Sequence, residues 1–280
     1  MSLFKKVRNY LQEPRLIGVD PDSEEMLAIH SKVLYEKPMM RGVFAEFYDI
    51  CITLDEKYFG DSKAKRIEIG AGVSFFKKNY PEIVSTDIKK APNLDMVVDA
   101  QNMPFEDSSI RAIYGINCFH HFPDPDLFFK ELERVLITGG GCILIDPYYG
   151  TIAKRFYKKI FEQETFDVTQ KEWSNKNLGY MNGANQALSY IVFKRDLKLF
   201  LENYSNLEIV VQKPLNNYMR YLLSGGLNFR QILPSFFSPV IKFFEFLFIP
   251  FNSVFALHHI IVIRKKTSPR PSPKEREKAS

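Results

Sequence analysis

Three short clusters in this 280-residue sequence carry residue types suited to holding a nucleoside. The first is Glu68-Ile69-Gly70-Ala71-Gly72, where an apolar run ends in two glycines one residue apart. Small residues at such a turn let the backbone approach a ligand closely. The second is Asp87, which ends the next apolar run 17 residues after Gly70. A carboxylate about 20 residues beyond a glycine turn can accept hydrogen bonds from ribose hydroxyls. The third is Asp99-Ala100-Gln101-Asn102-Met103-Pro104-Phe105. Its carboxylate can accept from an adenine amino group. Ala100 leaves a backbone N–H accessible, and Pro104 and Phe105 turn the chain and wall off a base. A dinucleotide loop wants a further glycine where this sequence has Phe75, which counts against an NAD-dependent oxidoreductase. His120 and His121 follow the next apolar run. Histidine is the usual general base near neutral pH, so both are candidate catalytic residues for a hydroxyl acceptor. No carboxylate or third ligand stands at a metal-site spacing from them, and no metal is expected.

These clusters need a sheet to bring them to one edge. The runs KRIEIG, EIVSTDI, LDMVVDA, IRAIYGIN and GCILIDP read as strands. SFFKKNY and the amphipathic PDLFFKELERVL read as helices between them. Strand alternating with helix argues a parallel, doubly wound sheet, whose ligands lie at the carboxyl ends of the strands. Upstream, DSEEMLAIHSKVLYEK and RGVFAEFYDICITLDEKYF read as two helices divided at Pro38, the first capped by Asp22 or Ser23. Downstream, TIAKRFYKKIF and YIVFKRDLKLFLENY suggest helices, residues 165–184 a polar loop, and LEIVVQK and VFALHHIIVIRK two more strands.

The formal net charge of +5 does not imply a polyanionic partner. Seven basic and two acidic residues beyond position 263 account for the whole excess. The body is neutral and offers nucleic acid no global attraction. The tail TSPRPSPKEREKAS has the composition of a disordered segment. Cys51, Cys118 and Cys142 match neither a disulfide framework nor a zinc motif and are expected as reduced thiols. The N-terminus lacks the apolar core of a secretory signal, so a cytoplasmic location, or one at the inner face of a membrane, is expected.

The run from Ile67 to Pro147 resembles the class I S-adenosylmethionine-dependent methyltransferases, in particular their small-molecule, type 11-like group. The resemblance rests on E-I-G-A-G, Asp87, D-A-Q-N-M-P-F, NCFHHFPDP and VLITGGG, which occur in the family's order. Met103 for leucine and Ser74 for glycine are its departures. It implies a Rossmann-like α/β fold with a seven-stranded sheet whose last strand is antiparallel. It also implies an N-terminal helical cap over residues 1–62 and a methyltransferase domain over 63–264. Glu68, Gly70, Ala71, Gly72, Asp87, Asp99, Ala100 and Asn117 would hold S-adenosylmethionine. Paired histidines at this place in the family often orient the loop without reacting. The implied activity is methyl transfer to a small-molecule or lipid-linked acceptor, and a non-catalytic binding domain is the alternative.

One stretch is unlike the rest. Residues 214–253 form an insertion before the last strand and include LPSFFSPVIKFFEFLFIPFN. Lys242 and Glu245 are its only charges after Arg230, and Pro239 and Pro250 leave too few residues between them for the roughly 20 of a membrane span. Such a helix either packs over a core edge, lies on a bilayer through residues 235–250, or lids an apolar acceptor site.

Overall fold

The computed structural model describes residues 3–161, 164–175 and 183–267. Helix α1 (Leu3–Leu11) leads to α2 (Glu24–Glu36), whose N-cap is Ser23: its hydroxyl accepts the Met26 N–H. Pro38, with no N–H to lose, starts α3 (Pro38–Tyr58) at its first turn. Then follow β1 (Lys65–Ile69), α4 (Phe76–Asn79), β2 (Ile83–Asp87), β3 (Met96–Val97), β4 (Ile110–Ile116), α5 (Pro125–Val135) and β5 (Leu136–Pro147). The chain continues through α6 (Thr151–Lys159), α7 (Leu188–Tyr190), α8 (Leu197–Asn203), β6 (Leu207–Pro214), α9 (Tyr218–Ser224), α10 (Ser238–Leu247) and α11 (Asn252–Phe255) to β7 (His258–Lys265).

The strands form one seven-stranded sheet in the order β3-β2-β1-β4-β5-β7-β6. Neighbours among the first five pair in parallel, and β7 runs antiparallel to both β5 and β6. The expected α/β architecture with an antiparallel last strand is therefore present, and the insertion falls between the last two strands. Helix α3 covers one face, packing Val43, Phe47 and Cys51 toward Tyr114, Ile143 and Val262. On the other face, Phe128, Phe129 and Leu132 of α5 meet Ile113, Cys142 and Leu144. Of the two helices expected in an N-terminal cap, α3 is thus a sheet-covering helix, while α2 closes over the carboxyl edge. All three cysteines are buried free thiols.

Three elements differ from their sequence patterns. The strand expected over LDMVVDA shrinks to Met96–Val97, an exposed pair at the sheet edge, where short strands are usual. The helix expected over residues 190–204 is interrupted. Ile191–Arg195 forms a π turn, and the Asp196 carboxylate accepts from the Arg195 guanidinium and from Trp173 Nε1. The last strand begins at His258, because Val254 and Phe255 end a helix. The expected tail lies largely outside the described residues, as does part of the polar loop over 165–184.

Candidate active site

The carboxyl ends of β1, β2 and β4 open into a cavity of about 1070 Å³. Gly70 and Gly72 take φ angles of +60° and +49°, which turn the chain sharply after β1. A Cβ on Gly70 would lie 2.5 Å from that of Cys118, so only glycine fits. The Asp87 carboxylate holds the turn: Oδ2 accepts the Gly72 N–H at 2.8 Å, and Oδ1 accepts the Lys89 N–H at 2.8 Å. Each oxygen keeps a lone pair for a ligand hydroxyl. Asp99 Oδ1 accepts the Gln101 N–H at 2.9 Å. Asn117 has a φ of +52°, and its buried Oδ1 finds no partner among the described residues. An orphaned acceptor on a cavity wall is an anchoring point for a ligand donor.

Of the expected residues, Gly70, Ala71, Gly72, Asp87, Asp99, Ala100, Asn117, His120 and His121 all line this one cavity. Glu68 does not line it. It is buried behind the turn, where its carboxylate accepts from Ser85 Oγ at 3.2 Å and its carbonyl from Thr86 Oγ1 at 2.8 Å. Burial pushes the Glu68 carboxyl up to about 7, against the lowering effect of the Ser74 and Ser85 hydroxyls. Its place in the site is to support the turn from beneath.

The histidines sit in a charged cluster that the sequence spacing did not indicate. His120 Nδ1 lies 2.8 Å from Asp146 Oδ1, and Nε2 lies 3.2 Å from Glu164 Oε2. His121 Nε2 lies 4.0 Å from Glu164 Oε1. Burial disfavours the His120 imidazolium, but the two carboxylates overcome it and push the pKa up to about 10. Burial likewise disfavours the Glu164 carboxylate. The charges of His121 and His120, with hydrogen bonds from His120 and Gln186, nevertheless hold it down at about 2. His120 therefore keeps its proton at neutral pH, held between two carboxyl groups. The ligand-capable atoms of His120, His121 and Glu164 lie within 4.8 Å of one another, close enough to share a metal ion only if His120 gave up its proton. Asp146 orients His120 from behind, as carboxylates orient metal-ligating histidines. A carboxylate near the histidines was absent from the sequence pattern, and the fold supplies it from the segment after α6. His258 and His259 are buried in β7; burial above all lowers their pKa values to about 3 and about 4. Both are neutral; His259 Nε2 lies 2.9 Å from Ser189 Oγ, and His258 reaches the cavity wall.

Beyond the histidines the wall turns apolar. It is formed by Leu16, Ile152, Phe156, Phe161, Leu227 and Ile232, drawn from the segment after α1, from α6 and the residues just after it, and from the loop after α9. The volume exceeds the several hundred Å³ that a single drug-sized ligand usually fills. The cavity can hold a nucleoside at the strand edge and a second, apolar molecule beside it.

Residues 69–144, which contain the glycine turn, Asp87, Asp99 and the histidines, match the family model described as a methyltransferase domain. The chain carries a methyltransferase domain. Its class I type follows from the same match and from the sheet order, and the cofactor of that class is S-adenosylmethionine. The Asp87 and Asp99 carboxylates, the glycine turn and the orphaned Asn117 oxygen fit that cofactor's hydroxyl, amino and ammonium groups. A sterol 4-C-methyltransferase, strm-1, of Caenorhabditis elegans is 36% identical over 73 residues, which is 25% of this chain and 22% of that protein. A phthiotriol/phenolphthiotriol dimycocerosates methyltransferase 1 of Mycobacterium ulcerans is 28% identical over 142 residues, 50% of this chain and 49% of that one. The chain thus spans about half or less of the length of these curated relatives. Among solved structures, the geranyl diphosphate C-methyltransferase of Streptomyces coelicolor is 14% identical. That alignment has a TM-score of 0.47 and covers 92% of this chain and 90% of the other.

Proposed function

We propose that the protein transfers a methyl group from S-adenosylmethionine to a small-molecule acceptor with a substantial apolar part, such as a lipid-linked compound. The observation that carries this is the single cavity: a nucleoside cradle at one end, an apolar wall at the other, and the His120–His121–Glu164 cluster on the same wall. The relatives named for sterol and dimycocerosate methylation point to the same acceptor class.

When bound, S-adenosylmethionine supplies a methyl group already activated on a sulfonium, so the protein's task is alignment and exclusion of water. Asp87 would fix the ribose, Asp99 with Ala100 the adenine, and Asn117 the amino-acid end. An acceptor that loses a proton on methylation needs a base. His120 is occupied by two carboxylates and already carries its proton, which leaves it a positioning role toward Glu164. His121 is half-buried on the cavity wall, its Nε2 4.0 Å from Glu164 Oε1, and could act as the base only in its neutral form. We assign the proton to His121. The test is transfer of labelled methyl from S-adenosylmethionine into a total lipid extract, followed by organic extraction. Label in the organic phase that requires intact His121 supports the proposal. Label confined to water-soluble product refutes the apolar acceptor.

A further inference from the structure

Helix α10 is inside out. A surface helix ordinarily buries an apolar stripe and shows its charges to water. Here the only buried side chains are Ile241 and Glu245. Glu245 accepts the Arg220 N–H at 2.8 Å and the Arg220 Nε–H at 2.6 Å. The same guanidinium donates to both oxygens of Glu46, at 2.8 and 2.6 Å, and Lys242 Nζ lies 2.8 Å from Glu46. Both charges of the helix are thus committed to α9 and α3. The apolar residues facing outward are Val240, Phe243, Phe244, Phe246 and Leu247, with Phe243 59% and Phe246 65% exposed, and the Lys242 side chain, 65% exposed, lies among them. Phe236 before them and Ile249, Phe251 and Val254 after them continue the surface. Scattered exposed apolar residues are normal, whereas a contiguous set of this extent marks a contact surface.

The neighbouring charge identifies the contact. Helix α11 packs on α6. The exposed side of α6 carries Lys154, Arg155, Lys158 and Lys159, and its sequence TIAKRFYKK holds no acidic residue. An apolar helix face bordered by a row of cations fits an interface with anionic headgroups above and acyl chains below. A second copy of this chain would instead bring like charges, Lys154, Arg155 and Lys158, to the contact. No single helix here is long enough to cross: α10 is about 15 Å long against a hydrocarbon core of about 30 Å; residues 235–247 and 249–255 reach spanning length only together, and they meet at a bend of 65°. Both ends of the surface also reach the cavity rim. Ile232, half-exposed and three residues before Ser235, lines the cavity, as do Arg155, Phe156 and Lys159 of α6.

We propose that the outward face of residues 235–255, with the cationic side of α6, seats the protein on the surface of an anionic lipid bilayer and brings the cavity mouth against it. The docking stands on the surface alone; entry of the acceptor from the bilayer rests on the methyl-transfer proposal. The test is co-sedimentation of the full chain with phosphatidylcholine vesicles, plain or containing roughly 30 mol% phosphatidylglycerol. The variants are Phe243→Ser/Phe246→Ser and Lys154→Glu/Lys158→Glu, all at exposed positions. We expect pelleting with the anionic vesicles, a fall of about tenfold or more for the phenylalanine pair, and a fall to the plain-vesicle level for the lysine pair. Titration with S-adenosylhomocysteine should give the same affinity in all three proteins, and a failure there alone would count against the cofactor rather than the docking. The proposal is overturned by pelleting that is undiminished in Phe243→Ser/Phe246→Ser, or by a wild type that stays in the supernatant. It is equally overturned by a dimer that the same pair dissociates while no vesicle is bound.

Discussion

Replacing Asp87 by alanine separates the support of the site from its use. In the free protein the carboxylate accepts two backbone amides, from Gly72 and Lys89, each at 2.8 Å. A hydrogen bond to a charged group contributes about 1.5–3 kcal/mol when its partner would otherwise be stranded. Both amides lie at the cavity wall, where water can replace the carboxylate, so the folding loss should be only about 1–2 kcal/mol. For a chain of this size that lowers Tm by a few degrees. Binding should suffer more. A ribose diol would lose its charged acceptor, and the turn that carries Gly70 and Gly72 would have to be ordered on binding. We expect about 2–3 kcal/mol, a weakening of roughly 30- to 150-fold. Asp87→Asn keeps the shape and one acceptor oxygen, and should fall between. The assay is calorimetric titration with S-adenosylhomocysteine, alongside a thermal melt. A folded Asp87→Ala protein with unchanged affinity would refute the assignment of the ribose to this residue.

Four further outcomes follow from the same geometry. His121→Ala should lower kcat by about 10²-fold or more while leaving cofactor affinity intact. His120→Ala should instead destabilise the fold by about 3 kcal/mol in a denaturant melt, because it leaves Asp146 and Glu164 buried without their cation. Glu245→Ala should lower stability by a similar amount, offset in part because Arg220 keeps Glu46; an unchanged midpoint would mean that α10 is not anchored by this pair. Glu68 titrates near 7 in the folded protein against about 4.5 unfolded. The folded state therefore holds its proton longer, and the stability this residue contributes at low pH is lost as pH rises from about 4.5 through about 7. Glu68→Gln should remove that loss, so its stability relative to the wild type should improve over that window; a flat difference would refute the raised pKa.

Much of the cofactor half was legible in the residues. The glycines, Asp87 and Asp99 sit at strand ends, and a doubly wound sheet carries all such ends to one edge. Asp146 stands next to last in the GCILIDP run and was open to the same inference. Glu164 was not, because it comes from a segment without periodicity whose approach to His120 depends on tertiary packing. The orientation of α10 was likewise illegible. A helix apolar on nearly every side does not say which side faces in. What decides it is Glu245 pairing with Arg220, 25 residues away, and through it with Glu46 on α3. Pattern and propensity also overran at Asp196, where side-chain hydrogen bonds interrupt a strongly helical stretch.

The most direct test of the central claim is calorimetric titration of the unmodified protein with S-adenosylhomocysteine and, separately, with NADH. The account predicts one molecule of S-adenosylhomocysteine bound per chain in the micromolar range and no detectable heat from NADH. Binding of NADH without S-adenosylhomocysteine would contradict it.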